Sequence, residues 1–261
     1  MKKLMEYKII SGRTVEIRRS YLPCRKAGEE KPKRGPRKAG SSSEKKIKAN
    51  ETSSVRELAR GVNATMEAGD IFATLKYDKD HYPASEEEAI QIMNKFLRKV
   101  RAEFRKQHGR NPKLFWVDAN WSPKRNAPAR LHHHLVIERE AEALLSSLWE
   151  GGGLILVYLD NRGDHSDLAA YMVANVHGRP NKKKWHASRT VDRPIYTEPV
   201  EVEDVEDVQP EPGSVIKDHE ESQDEDGRVI SKYIRCLLPE APQVRGGQIL
   251  LPKKPRRRGH G

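Results

Sequence analysis

The sequence predicts an α+β fold: an antiparallel, ferredoxin-like (split βαβ) sheet with a basic flexible arm before it and a basic tail after it. Three observations point there. Between residues 71 and 177, apolar alternation and helical periodicity follow the order strand, helix, strand, strand, helix, strand, helix. Residues 1–50 carry 16 Lys/Arg against 5 Asp/Glu, so the net charge of +11 sits almost wholly in that arm. The stretch Leu131-His132-His133-His134-Leu135-Val136-Ile137, read as a strand, has one mostly apolar face and one face with two imidazoles.

The elements follow in order. Residues 5–21 alternate around Ser11-Gly12 and read as a hairpin, within a segment 1–24. Residues 25–50 are a basic linker, aperiodic and rich in Lys, Arg, Gly, Pro and Ser. Ser54 and Glu57 suggest a capping box for a helix with Val55, Leu58, Ala59, Val62 and Met66 on one face. The sheet domain, residues 51–195, continues with the strand Ile71–Tyr77. Its next helix is capped by Ser85 and Glu88, striped by Ile92, Met93, Phe96, Leu97, Val100 and Phe104, and ended by His108-Gly109. Leu114–Asn120 is a strand, and the histidine strand follows it. Residues 141–149 make a helix stopped by Gly151-Gly152-Gly153, and Leu154–Leu159 is a strand. A helix capped by Asp164 or Ser166 then runs to about His177. Residues 196–228 are expected to be a mobile insertion, because Glu198–Glu211 holds seven acidic residues and no basic one. A late strand lies within 229–240, and 241–261 is a basic tail.

A basic arm on a balanced body suits a polyanion such as nucleic acid. Two distant cysteines, Cys24 and Cys236, give neither a disulfide framework nor a zinc finger, and a reducing cytoplasm is the expected setting. No run approaches the roughly 18–20 apolar residues of a membrane span, and no signal-peptide pattern opens the chain.

On the histidine strand, Leu131, His133, Leu135 and Ile137 face the core, while His132 and His134 share the other face one strand repeat apart. That spacing suits one divalent cation, with His133 as spacer. A third, harder ligand is expected from Asp118 across the hairpin, and mixed His/carboxylate ligation points to Mg²⁺ or Mn²⁺ in a phosphate-handling site. On the last helix, Leu168, Ala169, Met172, Val173 and Val176 form the apolar stripe, and Tyr171 lies off it, available to another surface. A phenol positioned beside a metal-neutralised phosphate can attack to give a phosphotyrosine. Residues 179–193 interleave Arg179, Lys182, Lys183, Lys184 and Arg189 with Trp185, a composition suited to phosphate contact and base stacking.

With these residues in place the chain resembles the HUH endonucleases, and within them the rolling-circle replication initiators of bacterial plasmids and phages. The resemblance spans roughly residues 5–238. It rests on Phe72-Ala73-Thr74-Leu75-Lys76-Tyr77 as a first motif, Leu131–Ile137 as the metal motif, Asp167–Tyr171 as the tyrosine motif, and Arg179-Pro180 with Trp185–Arg189 after it. It implies that His132 and His134, with Asp118, bind Mg²⁺ or Mn²⁺. It implies that Tyr171 cleaves single-stranded DNA at a replication origin, and that Lys76 and the basic residues of 179–189 hold that DNA. Host helicase and polymerase are the implied further partners. Many relatives carry Lys three residues after the tyrosine; Ala174 stands here, which leaves the stabilising charge to Lys182 or another residue. Conjugative relaxases and single-tyrosine transposases use the same chemistry. A non-catalytic nucleic-acid-binding module on the same sheet is the rival from another class.

Overall fold

A computed structural model describes residues 2–23, 44–178, 183–245 and 248–250. Most of the predicted basic linker, the end of the tail, Arg179 and Lys182 lie outside these residues. In chain order the elements are β1 (Lys2–Ser11), β2 (Thr14–Pro23), α1 (Glu44–Thr65), β3 (Ile71–Lys76) and α2 (Glu86–His108). Next come β4 (Leu114–Ser122), β5 (Ala127–Ile137), α3 (Glu142–Leu148), β6 (Leu154–Tyr158) and α4 (Ser166–Ala174). Short strands β7 (His186–Ala187), β8 (Ile195–Tyr196) and β9 (Val200–Glu201) precede β10 (Val215–Gln223), β11 (Val229–Leu237), β12 (Gln243–Arg245) and β13 (Gln248–Leu250). The architecture is α+β. No helix among the described residues is long and apolar enough to cross a membrane. The chain divides into two compact units, Ile47–Arg193 and Met1–Lys46 with Pro194–Gly261.

In Ile47–Arg193 a five-stranded sheet has the order β6-β3-β5-β4-β7, every neighbouring pair antiparallel. The unit β3-α2-β4 leaves β5 between its two strands, and β5-α3-β6 leaves β3 between its two. Both faces are covered. Ile71, Ala73, Leu75, Leu135 and Ile137 pack with Met93, Leu97, Val100 and Phe104 of α2 and with Leu144 and Leu145 of α3. Phe115, Val117 and Val136 pack with Leu58 and Val62 of α1 and with Ala169, Met172 and Val173 of α4. Burial of this kind stabilises by roughly 1.5–3 kcal/mol per large apolar side chain.

The helix ends follow local chemistry. Ser85 Oγ accepts from Glu88 N at 3.2 Å, and Glu88 reaches back to Ala84 N at 2.6 Å. Gly109 closes α2 at φ 70°, its N–H on Arg105 O at 2.9 Å. α1 begins ten residues before the predicted cap Ser54. Residues 46–52 in its first turns are exposed, mostly polar and without an apolar stripe, so periodicity gives no signal there.

In the other unit the leading hairpin is not isolated. β2 pairs with β11, β11 with β10, and β1 with both β8 and β9. Residues 196–228 are therefore not a loose insertion, because they supply β8, β9 and β10. Val208 enters the core of Ile10, Val15, Ile17, Ile234, Cys236 and Leu238. Glu211 is buried against Lys8 Nζ at 2.5 Å, and Arg19 and Lys232 bind the carbonyls of Asp204 and Glu206.

Gly61 marks where α1 touches the sheet: a Cβ there would lie 2.8 Å from Phe115 Cε1. Gly→Ala in a helix ordinarily gains about 1 kcal/mol. Gly61→Ala should instead lower stability by about 1–2 kcal/mol, because a buried aromatic has to move. The urea midpoint reports it, and a rise in the midpoint would mean that Phe115 has room to yield.

Candidate active site

β5 sorts its three histidines between the two faces of the sheet. His132 and His134 lie on the α1/α4 side, opposite Lys76 and Thr74 of β3. Their Nε2 atoms are 3.1 Å apart. Two nitrogens about 2.0–2.1 Å from one ion and at right angles to each other stand about 3 Å apart, so the pair has the separation of two ligands on one cation. His132 Nδ1 is 2.8 Å from Arg130 O, which can only accept, so Nδ1 carries the hydrogen and Nε2 of the neutral ring offers a lone pair. If His134 donates its Nδ1–H to Thr74 Oγ1, 3.1 Å away, its Nε2 lone pair is turned toward His132 Nε2.

Burial is the main force on both rings. It holds the His132 pKa below its ordinary value, the Arg130 carbonyl opposing and the charges of His133 and Lys76 assisting. It pushes His134 down to about 3, helped by charge on His132, His133 and Lys76 and opposed by a hydrogen bond that the ring gives to Asn175. Both imidazoles are thus neutral near pH 7, the state a metal ligand requires.

The expected third ligand is elsewhere. Asp118 pairs across the strands with His133, not with His132 or His134, and directly opposed residues share a face. Its Oδ1 accepts from His133 Nδ1 at 2.9 Å, and the Tyr77 hydroxyl lies 2.7 Å from His133 Nε2, all three residues buried on the α2/α3 side. Burial, then the charges of Asp118 and Glu88, raise the Tyr77 pKa. Among the described residues no third His, Cys, Asp or Glu completes a set with the pair.

Tyr171 does join it. Its ring centroid is 5.1 Å from that of His134, and Phe72 fills the corner, stacked on His134 at 5.3 Å and meeting Tyr171 edge-on at 6.1 Å. Tyr171 stays 47% exposed while its helix neighbours Met172 and Val173 are buried. α4 is anchored at both ends. Asp164 Oδ1 accepts from Ser166 N at 3.0 Å, and Asn63 Oδ1 from His165 N at 2.8 Å. At the other end Asn175 Nδ2 donates to Tyr171 O at 2.7 Å. A break in the β4–β5 register turns the N–H groups of Asn120 and Trp121 onto Asn175 O, at 3.0 and 3.1 Å. Asn120 also brackets His177, accepting from its N and donating to its O. Thr74 and Phe72 had a signal in the sequence, since at period two they share one face of β3 with Lys76. Asn120 and Asn175 had none, because a bulge contact between distant segments leaves no periodic trace.

The predicted nucleic-acid residues divide. Lys76 stands on the site face beside His132. Arg189 and Lys183 are exposed. Trp185 is committed to the core: it packs against the α1 cluster, its Nε1 donates to Ser54 O at 3.1 Å, and Lys183 Nζ sits over its ring at 4.5 Å. Lys184 is ion-paired with Glu51.

No family model matches the chain, and no curated protein or solved structure is significantly similar to it.

Two outcomes follow from this geometry. Asp118→Ala should destabilise the protein by on the order of 1–3 kcal/mol, by leaving buried His133 without its acceptor, yet retain Mn²⁺ binding that His132→Ala loses. Equal Mn²⁺ loss in both variants, with melting unchanged, would return Asp118 to the ligand set. The metal-free protein should also weaken on acidification. His134 has a folded pKa below its unfolded value, so below pH 6.5 the unfolded chain takes up a proton that the folded chain refuses. Stability present above pH 6.5 is then lost toward pH 3, at about 1.4 kcal/mol per pH unit. His134→Gln should flatten that slope in denaturant titrations between pH 7 and 5.

Proposed function

We propose that the Ile47–Arg193 unit is a metal-dependent nicking and joining enzyme for single-stranded DNA, of the HUH type, that initiates rolling-circle replication. The observation that carries this reading is the convergence, on one face of β5, of two imidazoles with Nε2 atoms 3.1 Å apart and the half-exposed phenol of Tyr171. The strand order β6-β3-β5-β4, with its two interlocked strand–helix–strand units, supports a ferredoxin-like sheet of that type.

His132 and His134 would hold Mg²⁺ or Mn²⁺ through Nε2. Bound there, the ion would draw charge from the phosphate oxygens and make phosphorus a better electrophile. The chain supplies positioning. α4, tied down at Asp164 and Asn175, carries Tyr171 on a rigid frame, and Phe72 limits its ring. In-line attack needs the phenol oxygen about 3–3.5 Å from phosphorus, and a fixed helix reaches such a distance reproducibly. Tyr171 Oη forms the bond to phosphorus and the P–O3′ bond breaks. The phenol loses one proton and the 3′ oxygen gains one. The 5′ end stays on the protein, and the free 3′ hydroxyl serves a polymerase. The reverse reaction rejoins the strand. The basic residues of 1–50 supply a long-range attraction that does not depend on base sequence.

The test is a single-stranded oligonucleotide library incubated with Mn²⁺, the trapped ends sequenced and the adduct mapped by mass spectrometry. Wild type should yield a 5′-phosphotyrosine at Tyr171. Tyr171→Phe should lose cleavage and adduct, keep DNA affinity, and melt within about 0.5 kcal/mol of wild type. DNA binding with no adduct in wild type would leave the non-catalytic module as the reading.

A further inference from the structure

The site face carries one more charged group, expected from the sequence only to help hold DNA: the ammonium of Lys76, at the end of β3. Its backbone is locked on both sides, N–H to Gly153 O at 2.7 Å and C=O from Trp149 Nε1 at 3.3 Å. It pairs directly across the strands with His132, so the two side chains leave the sheet on the same side. The stem runs past Gly153, where a Cβ would lie 3.5 Å from Lys76 Cβ and 4.0 Å from Cδ. The charge of Lys76 is felt at both imidazoles of the pair.

Several lysines are neutralised by carboxylates. Lys3, Lys8, Lys99, Lys106, Lys113 and Lys184 each sit on a carboxylate. Lys76 is exposed, and no carboxylate pairs with it among the described residues. α4, which carries Tyr171, has no Lys or Arg of its own. A cation on the strand beside His132, its charge felt at both imidazoles, is poised for an anion from outside, and a phosphodiester is the anion that the phenol packed against His134 would attack.

We propose that Lys76 is a catalytic residue whose ammonium contacts a non-bridging oxygen of the scissile phosphate. This rests on Tyr171 being the nucleophile. As the Tyr171 Oη–P bond forms and the P–O3′ bond breaks, negative charge builds on the non-bridging oxygens, and Lys76 stabilises it while keeping its own protons. A lysine that only tracked the DNA backbone would act on affinity. This one acts on the rate of the chemical step.

The experiment is single-turnover cleavage at saturating DNA and Mn²⁺, using an oligonucleotide that forms the wild-type adduct. Wild type, Lys76→Met and Lys76→Arg are compared on the normal phosphodiester and on a methylphosphonate at the scissile position. Lys76→Met should slow the step by about 100- to 1000-fold, with DNA affinity and Mn²⁺ affinity each within about threefold of wild type. Lys76→Arg should restore about tenfold or more. On the methylphosphonate, which lacks the charged oxygen, the Lys76→Met penalty should shrink to about fivefold or less. A normal rate in Lys76→Met, a loss expressed only in DNA affinity, or an undiminished penalty on the methylphosphonate would overturn the assignment while leaving Tyr171 in place. Failure of wild type to form any adduct would remove the nicking reading itself, and this inference with it.

Discussion

The site depends on one constraint, the antiparallel register that sets His133 opposite Asp118 on β4 and opposite Leu75 on β3. Side chains alternate with period two, so this register decides which histidines meet the α1/α4 layer and which enters the α2/α3 core. A slip of one residue would exchange the two sets. The register is held strongly because both sheet faces are covered by helices, leaving no tolerant side. It is held specifically because His133 spans two buried partners, Asp118 and Tyr77, that a shifted strand would leave unsatisfied. The middle histidine thus anchors the strand whose flanking histidines face the site.

A second constraint brings the tyrosine to that pair. α4 is only Ser166–Ala174, too short to be stable alone. Its place comes from Ala169, Met172 and Val173 in the core and from polar fastening at both ends. The fastening at the C-terminal end is made by backbone amides that β4 exposes where its pairing with β5 breaks. A defect in the sheet therefore determines where a helical phenol stands. Phe72 completes the arrangement by contacting both His134 and Tyr171.

Charge pattern was a weaker guide than apolar pattern. The acidic run 198–211 looked too polar to order, yet Val208 and the ion pair of buried Glu211 with Lys8 bind it to a six-stranded sheet. Composition averages over a segment, whereas one buried valine and one satisfied carboxylate suffice to hold it. Trp185 shows the reverse error: flanking lysines suggested a base-stacking surface, but its indole fills the space beside α1.

Read alone, the sequence determined the order of strands and helices in the sheet domain, the capping of α2, the inward turn of His133, the pairing of His132 with His134 and the off-stripe position of Tyr171. Each is local, following from a period of 2 or 3.6 or from a residue that caps its own helix, and local rules operate within one segment. The tertiary structure alone decided the rest: that Asp118 shares a face with His133, that Asn120 and Asn175 hold α4 over the sheet, that the leading hairpin pairs with β11 more than 200 residues later, and that Lys76 stands across from His132. These are contacts between distant segments. They depend on register and on which surface each element meets, and neither quantity is written in the period of a single strand or helix.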